Sequence, residues 1–298
     1  MRSSHTAVLA KLKSTIPWWG KIIAKLVMAR APITYGAWSD VGLFRYGTME
    51  QPAYAYHTFV KHFECVPLAQ KAQGFVCLEL GPGDSLFSAV IAHAFGAART
   101  YCLDCGRYAA HDLERYRAML RWLRERNRPL PELESCSSLD ELLDACNAHY
   151  ETDGLRSLRA VPNSTVDFIW SNAVLEHVRR AEFLDMLREL RRVIRPEGVS
   201  SHRVDLRDHL GGGLNNLRFS EPLWEWEFMA KSGFYTNRIR YSEMVAMFEQ
   251  AGFAVTVTAV ERWDRLPTPK HKMSDGFRSL PDDELCVYAF DVILTPKA

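Results

Sequence analysis

The spacing of apolar residues changes character near residue 75. Before it, Leu9, Leu12, Ile16, Trp19, Ile23 and Leu26 recur every three or four positions, the stripe of an amphipathic helix. Pro17 interrupts the stripe. Proline fits the first turn of a helix, so the pattern predicts two short helices meeting near Ser14–Pro17. After residue 75, short apolar runs alternate with helical ones. Phe75–Leu80 reads as a strand ending in Gly81-Pro-Gly83, followed by a helix over about 85–95. Thr100–Leu103 reads as a second strand ending at Asp104, followed by a charged helix over 112–126. Ser138-Leu-Asp-Glu141 is a capping box that opens another helix. Val166–Trp170 is a strand. A helix over 181–194 then places Phe183, Leu184, Leu187, Leu190, Arg191 and Ile194 on one face. Pro196-Glu-Gly198 closes that helix, and Val199–Leu206 is the next strand. Ser242 is expected to cap a helix that stops at Gly252. Two strands near 253–260 and 285–294 follow, with no helical pattern between them, which predicts an antiparallel pair at the sheet edge.

This alternation predicts an α/β fold, a mostly parallel sheet with helices on both faces. Residues 1–60 read as a helical extension whose later part, Tyr35 to Tyr56 with Trp38, Phe44 and Tyr46, covers the ligand side. Residues 61–298 read as the main domain, with an insertion at about 207–240. Across 298 residues, 37 Lys plus Arg balance 36 Asp plus Glu. A net charge of +1 carries no basic footprint, so no nucleic-acid partner is expected. Seven scattered cysteines suit reduced thiols and a cytoplasmic location. Cys102-Leu-Asp-Cys105 has the spacing of a redox or zinc pair but lacks a second pair, so no metal is expected there. No apolar run is long enough to cross a membrane. Residues 1–39 contain no acid but carry Arg2, Lys11, Lys13, Lys21, Lys25 and Arg30. Two readings stand for this segment: a weak anchor on an anionic membrane surface or a partner, and a helix packed on the domain behind it. Its lysines break the apolar stretch and no small-residue cleavage site follows, unlike a signal peptide.

Ligands of an open parallel sheet sit beyond the carboxyl ends of its strands. Glu79-Leu-Gly81-Pro-Gly83 stands at such an end, and Asp104 ends the next strand 23 residues after Gly81. The two glycines allow close approach of the backbone to a ligand, and a carboxylate at Asp104 can accept from both hydroxyls of a ribose. Leu86 occupies the place of a third glycine, which argues against a dinucleotide.

Glu79-Leu-Gly-Pro-Gly83, Asp104 and Phe168-Ile-Trp-Ser-Asn172-Ala-Val-Leu-Glu-His177 resemble the class I S-adenosylmethionine-dependent methyltransferases over residues 74–260. The resemblance implies a Rossmann-like sheet of seven strands with an antiparallel last strand, and S-adenosyl-L-methionine as cofactor. It places the methionine end of that cofactor near Glu79, Gly81 and Gly83, the ribose at Asp104 and the adenine near Asp153. Ser171 and Asn172 then lie beside the reacting methyl. The Asn/Asp-Pro-Pro-aromatic motif of enzymes that methylate nucleic-acid amino groups is absent.

The expected reaction is methyl transfer to a small-molecule or saccharide-like acceptor, at oxygen, with a histidine base. His209 is the first candidate, oriented by Asp205 or Asp208, and His177 is the second. A metal held by His202 and Asp205 is disfavoured, because an unbroken strand points them to opposite faces unless a turn begins near Asp205. In the insertion, Gly211–Gly213 would let a cover move, the aromatics Trp224, Trp226, Phe228, Phe234 and Tyr235 would stack on an acceptor or form a small core, and Arg238 and Arg240 would hold an acidic group. Two rivals differ in chemistry. Aminopropyl transfer calls for a carboxylate-rich pocket, and a non-catalytic binder would keep the cofactor site without acceptor chemistry.

Overall fold

Seven strands form one sheet in the order β3-β2-β1-β4-β5-β7-β6, in a computed structural model that describes residues 19–20, 22, 49–67 and 74–297. The strands are β1 (Val76–Leu80), β2 (Arg99–Leu103), β3 (Ala148–Glu151), β4 (Val166–Asn172), β5 (Ile194–Asp205), β6 (Phe253–Arg262) and β7 (Val287–Pro296). β7 runs antiparallel to both of its neighbours, and the pairings among β1 to β5 are parallel. The expected antiparallel pair exists, with β6 at the edge and β7 inside it. Apolar periodicity did not mark β3, whose sequence Ala-His-Tyr-Glu is short and half polar.

Alternation along the strands divides the core between the two faces. Cys77, Phe168 and Trp170 point to one face, where α1 (Pro52–Phe63), α2 (Phe87–Ala94) and α3 (Leu113–Arg124) cover them. Pro52 starts α1 at a position where its missing N–H costs nothing. Phe59 and Phe63 of α1 then pack on Phe168, and Phe59 meets Trp170 edge-on at 5.8 Å. Leu78, Leu80 and Ile169 point to the other face, beneath α4 (Arg180–Val193) and α5 (Tyr241–Gln250). Strand register at the far end is held by Asp167, whose carboxylate accepts from Val76 N at 2.8 Å and from Arg195 Nη1 at 2.9 Å.

Ser138 caps its helix as expected, its hydroxyl accepting from Glu141 N at 3.1 Å, while Glu141 reaches back to the amide of Ser137. The expectation for Ser242 is corrected. Arg240 is the N-cap of α5, and the Ser242 hydroxyl donates to Glu284, whose carboxylate also accepts from Ser242 N. A carboxylate from another segment thus caps this helix.

The segment between β5 and α5 is pinned rather than hinged. The buried carboxylate of Asp208 accepts from Leu210, Gly211, Gly212 and Gly213 N through Oδ1 and from Asn215 N through Oδ2. The glycines are therefore bound in a turn, which overturns the expectation that they let a cover move. Trp224, Phe234 and Tyr235 form the small core, with Leu210, Met229 and Ile22. Trp226 and Phe228 stay outside it. Arg238 and Arg240 hold no acid. Arg238 donates to the carbonyls of Asn216 and Phe219, and Arg240 to those of Leu206, Leu285 and Val287. They tie the insertion to the sheet. Of the predicted N-terminal helices, only Trp19, Gly20 and Ile22 lie within the described residues, all helical. Of the predicted cover, Tyr35, Trp38, Phe44 and Tyr46 lie outside them.

Replacing Asp208 by Ala leaves five amide donors without their acceptor. The expected loss is about 3 kcal/mol of unfolding free energy by urea titration, with S-adenosylmethionine affinity less affected than stability. An unchanged denaturation midpoint would refute the pinned turn.

Candidate active site

β1 and β4 are neighbours in the sheet, but their chain connections leave in opposite directions, so a crevice opens beyond their carboxyl ends. Gly81 and Gly83 line this crevice with φ of +66° and +67°, the left-handed region that glycine tolerates. A Cβ on Gly81 would stand 2.6 Å from Val174 Cγ2, on the loop after β4. Across the crevice, Ala173 takes φ of +57°, an uncommon angle for alanine, while its amide donates to Arg203 O. Both walls of the switch point therefore depart from ordinary backbone.

Asp104 binds the glycine loop to the end of β2. Its Oδ2 accepts from Gly83 N at 3.1 Å and its Oδ1 from Cys105 N at 2.7 Å. Each oxygen keeps a second lone pair, which suits two further hydroxyl donors. Burial raises the Asp104 pKa, and the amide bonds work against that rise. Glu79 is only 2% exposed and accepts a hydrogen bond from the Ser88 hydroxyl on α2. Burial pushes its pKa up to about 8, opposed by the Ser88 bond, so it is mostly protonated at neutral pH. Ser88 escaped the reading of the sequence, and its place on the first turn of the helix after the loop was the available signal. Asp153 is exposed, but the adjacent Gly154 N donates to Asp104 O at 2.8 Å, so the β3 end meets the β2 end. Asn172 is half-buried at the end of β4, near enough to His62 to favour that ring's charged form.

The β4 and β5 ends carry the remaining chemistry. The His177 and His209 rings lie 4.9 Å apart with 36° between their planes. His177 is half-buried and bonds Tyr235 O through Nδ1 at 2.9 Å, while His209 is exposed. Asp205 grips Arg207 through both oxygens, at 2.9 Å from Nε and 2.6 Å from Nη2. Asp208 is occupied by the turn described above. His209 lies close enough to Asp205 to favour its ionised form. Glu176, beside His177, was not singled out from the sequence. It is 1% exposed with both carboxyl oxygens unpartnered, and burial raises its pKa well above the carboxylate range.

His202 is not a ligand. It is fully buried, with Nδ1 2.7 Å from Ser171 Oγ and Nε2 2.6 Å from Ser200 Oγ, and β5 runs unbroken to Asp205. No turn brings Asp205 to its side. Cys102 is buried while Cys105 is exposed, and all the cysteines are free, so the spaced pair forms no disulfide. Among the described residues no cluster of His, Cys, Asp or Glu could hold a metal.

Comparison with known proteins gives three findings. Residues 78–201, from β1 into β5, match the family model of the methyltransferase domain. A search of curated proteins finds no significant match. Many solved structures are similar at low identity. The YcgJ protein of Bacillus subtilis is 15% identical, with 83% of this chain and 99% of that one covered at a TM-score of 0.45. An arsenic(III) S-adenosylmethionine methyltransferase of Chlamydomonas reinhardtii is 14% identical, with 80% and 73% covered and a TM-score of 0.44. The family match spans the glycine loop, Asp104 and the β4 end, and the sheet carries its antiparallel strand between β5 and β6. Together these make residues 78–201 a methyltransferase domain on a Rossmann-like sheet and support the resemblance to class I S-adenosylmethionine-dependent methyltransferases.

Proposed function

We propose that the chain methylates a hydroxyl of a small-molecule or saccharide-like acceptor, with His177 taking the hydroxyl proton and His209 beside it. One contact carries this reading. The carbonyl of Tyr235 can only accept, so the bond at 2.9 Å requires the proton on Nδ1 of His177. Nε2 of the neutral ring then carries the lone pair, and the ring is held in one tautomer. The sequence favoured His209, but the bond from Nδ1 to the Tyr235 carbonyl moves the base role to His177. The reading therefore gives His177 the base role and His209 a supporting one.

The residues of the crevice fit the cofactor: a loop open to close approach, a carboxylate with spare lone pairs at the β2 end and a buried acid at the β1 end. Gly81, Gly83 and Glu79 would hold its methionine end, Asp104 the ribose, Asp153 the adenine side and Asn172 the edge nearest the acceptor. When bound, S-adenosylmethionine supplies a methyl group already activated on a sulfonium. The chain is left to position the acceptor and remove one proton. Two imidazoles beside Glu176, whose burial disfavours the ionised form, suit a hydroxyl better than a polyamine, which calls for ionised carboxylates.

Replacing His177 by Gln is expected to lower single-turnover methyl transfer to a hydroxyl acceptor by about 10²–10⁴-fold, with cofactor affinity retained. His209→Gln should cost roughly tenfold or less, since it supports rather than accepts. A labelled-methyl screen over hydroxyl acceptors supplies the assay. Full activity in His177→Gln would remove the base assignment.

Glu79 adds a pH signature. Below a pKa of about 8 its carboxyl is neutral, and only the ionised form attracts a cationic ligand. Affinity for S-adenosylmethionine should therefore rise with pH until about 8 and then level. Calorimetry in buffers of different ionisation enthalpy should show proton release on binding that Glu79→Gln lacks. Equal release from both proteins would refute it.

A further inference from the structure

Among the described residues five large apolar side chains are exposed, and four belong to one unit: Leu223 (45%), Trp226 (58%) and Phe228 (37%) on the insertion, and Trp19 (56%). Ile22, one helical turn after Trp19, packs into the small core of the insertion with Leu210, Trp224 and Met229. Ile22 is therefore docked there, while Trp19 stays exposed. Trp226 and Phe228 stack at 5.2 Å with 21° between their rings, an outer layer on that core. Beneath them Trp224 donates through Nε1 to Thr236 O at 2.7 Å, so the support is ordered.

Such clustering marks a surface that meets another apolar phase, and charge indicates which one. The acids of the insertion are neutralised locally. Glu221 pairs with Arg180, Glu225 with Arg179 and the Tyr235 hydroxyl, and Glu227 with Arg179 and Lys231. The helix at Trp19 belongs to a stretch, residues 1–39, with six cations and no anion. Indole and phenyl rings settle at the headgroup level of a bilayer, and clustered Lys and Arg are drawn to anionic lipid.

We propose that this face seats on an anionic bilayer surface. Trp19, Leu223, Trp226 and Phe228 enter the headgroup region, and the six cations carried by the sequence of residues 1–39 supply the attraction to anionic lipid. No helix among the described residues is long and apolar enough to cross a membrane, so this is peripheral docking. Tyr235 links the face to the acceptor side, since its ring packs in the small core and its carbonyl holds His177. The docking does not depend on which acceptor is methylated.

The test is sedimentation of the full chain with phosphatidylcholine vesicles, alone or with about a third phosphatidylglycerol, followed by tryptophan fluorescence. Binding to the anionic vesicles only, with a blue shift and release by high salt, is expected. Trp226→Ser with Phe228→Ser should weaken it about tenfold or more while cofactor affinity is kept. Lys21→Glu with Lys25→Glu should weaken it as well, which guards against misfolding of the first pair. Absence of binding to anionic vesicles, equal binding to neutral ones, or unchanged binding by both variant pairs would overturn the proposal. So would sedimentation velocity showing a dimer that the Trp226 and Phe228 changes dissolve, since the face would then join two copies of the chain.

Discussion

A carboxyl buried at the end of β1 governs this molecule. Glu79 stands inside an apolar face and accepts from the Ser88 hydroxyl, and an ionised acid there would be costly without a cation. Burial shifts it toward the protonated form, which lowers that cost. Everything around it serves the same opening. Gly81 clears the space that Val174 would otherwise contest, and Asp104 fixes the loop by its backbone amides, leaving lone pairs on both oxygens. The walls of the crevice are thus set by hydrogen bonds within the protein itself.

The acceptor side is built differently, from backbone carbonyls and amides more than from ion pairs. Asp208 gathers five amides into one turn, Arg238 and Arg240 bind carbonyls of distant segments, and Asn237 clamps the Leu175 and Val178 carbonyls through Nδ2. Asn237 N also donates to Glu176 O at 2.7 Å. The loop that carries His177 is thereby held from the insertion, and the geometry of a candidate base depends on a segment more than fifty residues away. Buried guanidiniums demand such partners. Desolvation lowers the pKa of each to about 10, but they stay cationic at neutral pH and must be compensated by carbonyl dipoles.

The glycine loop, Asp104 and most of the sheet were legible because each rests on a local rule: alternation within a strand, a left-handed glycine, an acid at a strand end. β3 was hidden, since four residues with a His and a Glu show no apolar period. The roles of Asp208, Arg238 and Arg240 were misread for a different reason. A charged residue in a long loop looks available for ligand, and only the fold reveals that backbone groups have already claimed it. Ser242 misled in the same way. It sits at a plausible capping position, yet its hydroxyl faces Glu284 from a segment 42 residues on. Ala173, with positive φ and no glycine to announce it, left no trace in the sequence.

Burial also separates the histidines that can do chemistry from those that cannot. His202 lies between Ser171 and Ser200, and burial lowers its pKa to about 3. His62 bonds Ser201 across the sheet, with its pKa lowered to about 4, again chiefly by burial. Both rings remain neutral through the physiological range and have serine hydroxyls within reach, so neither offers a base to an acceptor at the crevice. They satisfy one another's neighbours in place of apolar packing between α1 and β5. His177 and His209 differ by position alone: they follow the carboxyl ends of β4 and β5, where the sheet has stopped and solvent or an acceptor can reach an imidazole. The strand ends thus sort identical side chains into enclosed and accessible classes, and the accessible pair lies where the β4 loop and the insertion converge.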